Sequence, residues 1–296
     1  MAKARQIIKR RKAVSNIRKI TRTMQLVATA RFQQAFQRAT ATKPYTRKIT
    51  ELVGQLTRAG AQVDDPLLRA NPDAPRDMLL VITSNRGLCG AYNANVLNVA
   101  LENIRAQGDR PLDLHVVGKK GIAYFRFLGR ELSGAITDID DRPRYNQVEP
   151  IAERMMKDYR GGRYGRISVA YMRFISAGRQ KAEVTQILPI AALEEPPAPG
   201  AAPAAAGAAK NVQYDFSPEP AKLMAALLPQ TIRARLFQCF TDAAVSEQVS
   251  RMVAMKSATD AAGDMIKDLS RRYNRARQSQ ITLELLDIVG GAEAIS

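Results

Sequence analysis

From Met1 to Lys43 the chain contains no glycine and no proline, and its first acidic residue is Glu51. Nothing in that stretch interrupts a helix. A continuous helix over it runs roughly 65 Å, and a second helical pattern, about Gln230 to Val289, runs roughly 90 Å at the same rise per residue. Two rods of that length at opposite ends of one chain, flanking a folded middle, are most economically paired antiparallel. The expected fold class is therefore α/β plus a long antiparallel coiled coil, in which the terminal helices form a shaft extending from a central domain.

Charge follows the same division. Lys3, Arg5, Lys9, Arg10, Arg11, Lys12, Arg18, Lys19, Arg22, Arg31, Arg38, Lys43, Arg47 and Lys48 all lie in the acid-free first 50 residues. These 14 cations leave +3 of the formal +17 for the rest of the 296-residue chain. One end of the molecule seeks an acidic partner. Within this helix Ile17, Ile20, Met24 and Val27 are spaced 3, 4, 3, and Ala28, Phe32, Ala35 and Ala39 continue one step over. Such a stripe is the narrow seam of a coiled coil, with the cations on the other faces. Pro44 is expected to kink or interrupt the helix, which resumes through Ile49, Leu52 and Leu56 and ends near Gly60 and the segment from Asp64 to Pro75.

From Asp77 the pattern changes. Met78 to Ile82 is a short unbroken apolar run, as in a strand covered on both faces. A helix over Ala91 to Ala106 follows, then a strand (Leu112 to Val117), a helix to about Leu128, a strand (Leu132 to Ile139), a helix (Val148 to Tyr159) and two strands (Arg166 to Phe174, Lys181 to Leu188). This alternation predicts a Rossmann-like α/β domain with a mostly parallel sheet. Residues 194–211 form a Pro/Ala-rich segment too poor in bulky side chains to pack, with one more strand at Val212 to Phe216 after it. Pro218-Glu219-Pro220 opens the last helix, in which Val245, Val249 and Met252, then Ala262, Met265, Leu269, Tyr273 and Ala276, trace the apolar stripe. The expected divisions are residues 1–60 (N-terminal helix), 76–193 (α/β domain), 194–211 (flexible loop) and 212–296 (final strand and C-terminal helix).

Little here suggests catalysis. Cys89 and Cys239 belong to no metal-binding motif and read as free, buried thiols. The single histidine, His115, lies in an apolar strand and reads as a packed ring with its polar atoms satisfied; one histidine excludes most histidine-based triads and zinc sites. The turn Ser84 to Gly90 lacks the Lys-Ser/Thr ending of a P-loop and the three-glycine spacing of a dinucleotide site, and Gly118-Lys119-Lys120-Gly121 is weaker still. Asp138, Asp140 and Asp141 read as a solvated turn. No catalytic, cofactor-binding or metal-binding residues are assigned. No stretch reaches the roughly 18 apolar residues of a membrane span. The Arg-rich start has some features of a transit peptide, but its apolar pattern continues unbroken beyond residue 30.

The basic helix leaves two partners open at this stage. It could follow nucleic-acid phosphates as a basic coiled-coil protein, although aromatics are few (Phe32, Phe36, Tyr45). Alternatively it could stand inside an acidic protein sleeve.

Particular strings decide between them. Ile17-Arg18-Lys19-Ile20-Thr21-Arg22-Thr23-Met24-Gln25-Leu26-Val27-Ala28 resembles the N-terminal helix of the gamma subunit of F-type ATP synthases. Thr83-Ser84-Asn85-Arg86-Gly87-Leu88-Cys89-Gly90-Ala91-Tyr92-Asn93 is similar to the start of its α/β domain. Arg251 to Asp260, Tyr273 to Gln278 leading into Ile281 to Glu284, and Asp287 to Ala292 resemble its C-terminal helix. The resemblance spans the chain in order. It implies a non-catalytic rotor in the central stalk of a proton-translocating ATP synthase, one copy per complex. The implied partners are three alpha and three beta subunits, the epsilon subunit and the ring of membrane c subunits, with no nucleic acid. The implied place is peripheral, on the cytoplasmic side of a bacterial cell membrane. By position in the motifs, Arg277, Gln278 and Thr282 correspond to residues touching the catch loop of beta, while Lys19, Arg22 and Met24 face the acidic lever region of beta. The Pro/Ala-rich loop contains no cysteine pair, so the thiol switch of chloroplast relatives is not expected.

Overall fold

A computed structural model describes residues 2–58, 65–108, 110–190 and 220–293. The expected loop at 194–211, the strand at 212–216, Pro218 and the helix end at Gly60 lie outside the described residues. The contacts divide into two units, one of residues 1–30 with 251–296, the other of residues 31–250.

The second unit is built on a five-stranded sheet in the order β3-β2-β1-β4-β5. Strands β1 (Arg76–Ile82), β2 (Leu112–Val117), β3 (Gly134–Ile136) and β4 (Tyr164–Ser176) are parallel. Only the edge strand β5 (Arg179–Leu188) runs antiparallel, as a hairpin with β4. Because side chains alternate along a strand, β1 feeds two cores. Leu79 and Val81 pack beneath α2 (Tyr92–Ala106) and α3 (Lys119–Phe127). Met78, Leu80 and Ile82 face a larger cluster from α4 (Tyr145–Arg160), the end of α1 (Ala2–Arg58) and the first third of α5 (Pro220–Glu293). The continuous apolar run of β1 thus reflects coverage on both faces.

Several elements depart from their sequence patterns. β3 covers three residues, not Leu132 to Ile139. It is an edge strand paired only with His115–Val117, and beyond it the Thr137 and Ile139 carbonyls accept hydrogen bonds from Asn85 Nδ2 instead of a strand (3.3 and 2.9 Å). Gly134 is required there, because a Cβ would stand 2.3 Å from His115 Nδ1. Gly118 is required at the β2–α3 turn, with φ of 94° and space for a Cβ only 2.2 Å from the Thr83 carbonyl oxygen.

α1 passes through Pro44 without ending. A proline inside a helix costs about 3 kcal/mol. Beyond it Ile49 and Val53 are buried in the main core, each contributing about 1.5–3 kcal/mol, which offsets the loss. Around the proline, hydroxyls of Thr40, Thr42 and Thr46 donate back to carbonyls one turn earlier, a habit that bends helices and eases the ring into place.

His115 is also not the satisfied ring expected: its Nε2 is buried without a hydrogen-bond partner. The nearby charges are committed to one another. Asp113 accepts from Arg76 (2.7 Å), Arg163 (2.9 Å) and Tyr164 (2.8 Å), and none of these bonds involves the ring. Burial therefore pushes the His115 pKa down, and the Asp113 charge only partly counters it.

Candidate functional site

The first unit is a pair of antiparallel helical segments. Arg11 lies over the Tyr273 ring (5.6 Å to its centre), Arg18 sits beside Gly263, and Thr21 meets Thr259. As the number on α1 rises, the facing number on α5 falls. The seam is made of small groups. The Thr21 and Thr259 hydroxyls are 2.8 Å apart and buried, each also within reach of a carbonyl of its own helix. Ala28 is fully buried on α1, and Met255, Thr259 and Ala262 form a 4, 3 stripe on α5.

This corrects the predicted seam. Ile17, Ile20 and Val27 are 53%, 58% and 46% exposed, and Met265 is 53% exposed. The buried line runs one residue further round, through Thr21 and Ala28. The physical reason is distance: hydroxyls, alanines and a glycine let two helices approach closely, and branched side chains are turned outward. Further along α5, Leu283, Leu285, Leu286, Ile288 and Val289 are likewise exposed. Adjacent pairs such as Leu285-Leu286 cannot share one face of a helix, so the sequence does carry a signal of more apolar surface than one partner helix can cover.

The residues assigned from the family motifs fall on this surface. Lys19 and Arg22 are exposed and Met24 is half-buried on α1. Arg277, Gln278 and Thr282 are exposed on α5, with the Thr282 hydroxyl donating to the Gln278 carbonyl (3.0 Å). The antiparallel register puts Lys19–Met24 opposite the residues around Thr259, so the two groups stand roughly 25 Å apart along the pair. They are two separate contact regions, not one site.

Parallel sheets usually bind ligands outside the carboxyl ends of their strands. Among the described residues the crevice there, bounded by Thr83, Asn85, Val117, Asp140, Phe240 and Ala243, is about 30 Å³, and beside it a wider space of about 560 Å³ lies along Arg38 and residues 138–147. The crevice has one water molecule's share of volume; Phe240 and Ala243 of α5 fill it. The Ser84–Gly90 turn spends its polar groups internally. Ser84 N–H donates to Asn93 Oδ1 (3.0 Å), Asn93 Nδ2 donates to Ser84 Oγ (2.8 Å), and Asn85 Oδ1 accepts from the Lys119 N–H (3.1 Å). Cys89 and Cys239 are buried thiols outside any disulfide, and burial pushes the Cys239 thiol up to about 12, an unreactive state. Among the described residues no helix is long and apolar enough to cross a membrane, and no group of potential ligands is placed to hold a metal ion.

Comparison with known proteins agrees with this geometry. A family model described as ATP synthase matches residues 3–295. The ATP synthase gamma chain of Rhodopirellula baltica is 44% identical over 298 residues, covering all of this chain and 99% of that one. The gamma chain of Saccharopolyspora erythraea is 41% identical, covering 100% and 98%. Among solved structures, a chain in the OSCP/F1/c-ring part of the Euglena gracilis mitochondrial ATP synthase superposes with a TM-score of 0.69 over 99% of this chain and 95% of that one, at 18% identity. A chain of the rotor of the same complex gives 0.65 over 95% and 99%, at 17% identity. With a full-length family match and full-length relatives above 40% identity, the chain belongs to the family of ATP synthase gamma chains.

Proposed function

We propose that this chain is the non-catalytic central-stalk rotor of an F-type ATP synthase, coupling ion-driven rotation of a c-ring to conformational change in catalytic beta subunits. The observation that carries the reading is the surface of the helix pair in the first unit. It exposes Ile17, Ile20, Leu26 and Val27 on the acid-free part of α1, and Leu283, Leu285, Leu286, Ile288 and Val289 on α5. Exposed apolar surface of that extent on two paired helices calls for an enclosing partner. Interspersed cations suit an acidic lining and give guidance without a fixed contact, because charge acts over about 8–10 Å in physiological salt. A protein sleeve supplies both; a nucleic-acid duplex supplies only the charge.

In this reading alpha and beta subunits surround the pair, Arg277, Gln278 and Thr282 meet the catch loop of beta, and Lys19, Arg22 and Met24 face its acidic lever region. Unit 2 meets epsilon and the c-ring, so the complex is peripheral to the membrane through its partners, on the cytoplasmic side of a bacterial cell. Residues 1–30 with 251–296 serve as the shaft, and the unit of residues 31–250, which takes in the rest of α1 and the start of α5, serves as the foot. An affinity-tagged chain isolated from detergent-solubilised membranes is expected to bring alpha and beta subunits with it. Recovery without them, with the chain instead holding duplex DNA at physiological salt, overturns the proposal.

A further inference from the structure

The second unit contains a device that the family resemblance does not assign. Asp141, expected in a solvated turn, is 16% exposed and forms an ion pair with Arg31 of α1. The same carboxylate oxygen accepts a long hydrogen bond from Gln248 Nε2 of α5 (3.4 Å). One loop residue therefore holds both long helices. Its neighbour Arg142 donates to Gln34 of α1 (2.8 Å). The loop is itself anchored at its root. Asn85 Nδ2 holds the Thr137 and Ile139 carbonyls, Asn85 Oδ1 holds the first N–H of α3, and Gln147 Nε2 of α4 donates to the Asp138 carbonyl (3.3 Å). Next along α1, Phe32 and Phe36 pack on Phe174 of β4 at 6.4 and 5.8 Å between ring centres. The Ser246 hydroxyl of α5 donates to the Met172 carbonyl of the same strand (3.3 Å).

Gln248 is informative because the arrangement leaves it incomplete. Its Oε1 is buried without a hydrogen-bond partner. A buried unmet carbonyl is costly and calls for an explanation; here the amide is turned so that its N–H faces Asp141. Turned the other way, its oxygen would meet the carboxylate.

We propose that Asp141 is a positioning residue for torque: it fixes α1 and α5 in rotational phase relative to the sheet, so that turning the α/β body turns the helices without slip. The proposal rests on the rotor function above. The apolar contacts of α1 and α5 with the body are non-directional, and α5 has further polar ties in Arg233–Glu153 to α4 and Ser246–Met172 to β4, whereas α1 and α5 share a partner at Asp141. A shared carboxylate anchored through Asn85 and Gln147 to the sheet and α4 is directional.

The test uses the assembled, membrane-bound complex and the isolated full-length chain. In inverted vesicles, Asp141→Ala is expected to keep ATP hydrolysis within about twofold while proton pumping per ATP falls by roughly threefold or more, and the charge-exchanged pair Arg31→Asp with Asp141→Arg is expected to recover most of it. Unchanged pumping per ATP in Asp141→Ala overturns the proposal. So does loss of assembly or of hydrolysis in step with pumping, which assigns Asp141 to stability alone. On the isolated chain, thermal melting of Arg31→Ala, Asp141→Ala and the double variant is expected to be non-additive; additive losses also overturn it. Failure of the unaltered chain to assemble with alpha and beta instead defeats the rotor reading, and the melting cycle still decides the contact.

Discussion

At the scale of single residues, the buried charges on the sheet make the chain's stability depend on pH in two steps. His115 has its folded pKa depressed, first by burial and then by Arg163 and Arg154, with Asp113 opposing. A histidine held neutral by the fold contributes stability that is present above its unfolded value near 6.5 and lost as pH falls below it. Burial pushes the Asp113 carboxyl up, but hydrogen bonds from Tyr164, Arg76 and Arg163 outweigh it and hold the group below 3.8. Its contribution is present above that value and is lost only in stronger acid. The melting temperature is therefore expected to fall from pH 7 to pH 5.5, and His115→Asn to flatten that part of the curve while leaving the drop below pH 4. A flat profile between pH 7 and 5.5 in the unaltered chain would contradict the assignment. Gly134→Ala tests the same corner from the other side. A Cβ 2.3 Å from the imidazole forces the ring or the strand to move, at an expected cost of about 1–3 kcal/mol in a chemical denaturation experiment.

At the scale of elements, the helix seam was only partly legible in the sequence. Helical spacing located both rods and the later stretch Ala28, Phe32, Ala35 and Ala39, but it chose the bulkiest residues as the seam. Ile17 and Ile20 are periodic because they form a stripe facing outward, and periodicity alone cannot say which of two adjacent stripes a partner helix covers. The contacts of Thr21 with Thr259 and of Arg18 with Gly263 carry the information instead, through side-chain size. The sheet was more legible: apolar runs gave β2 to the residue and the ends of β1, β4 and β5 to within two residues. β3 was overextended because edge pairing stops where Asn85 captures the Thr137 and Ile139 carbonyls. At Pro44 the helix continues instead of being interrupted, and it runs on through Ile49 as its spacing indicated. The clamp at Asp141 left no local trace, since its partners Arg31 and Gln248 are about 110 positions away on either side. A direct check on the seam is Gly263→Ala. The added Cβ meets the Arg18 guanidinium at 3.6–3.9 Å, ordinary contact, so the gain in helix propensity is expected to stabilise the chain by about 0.5–1 kcal/mol. A loss of more than that would place the helices closer than described.

At the scale of the whole molecule, the chain separates its duties by composition. Apolar burial builds the α/β unit, while the helix pair keeps large apolar and cationic side chains exposed for partners. A substitution on the exposed pair should therefore affect coupling more than folding. Arg277→Ala with Gln278→Ala is expected to reduce ATP synthesis in membranes several-fold, while the melting of the isolated chain changes by no more than about 0.5 kcal/mol. The most direct test is rotation itself. Gly178 lies in the exposed β4–β5 turn with open space around it, and both native cysteines are buried, so Gly178→Cys gives a single site for attaching a bead. With the alpha and beta subunits immobilised and ATP supplied, the bead is predicted to turn continuously in one direction. A complex that assembles and hydrolyses ATP while the bead only fluctuates in place would contradict the account.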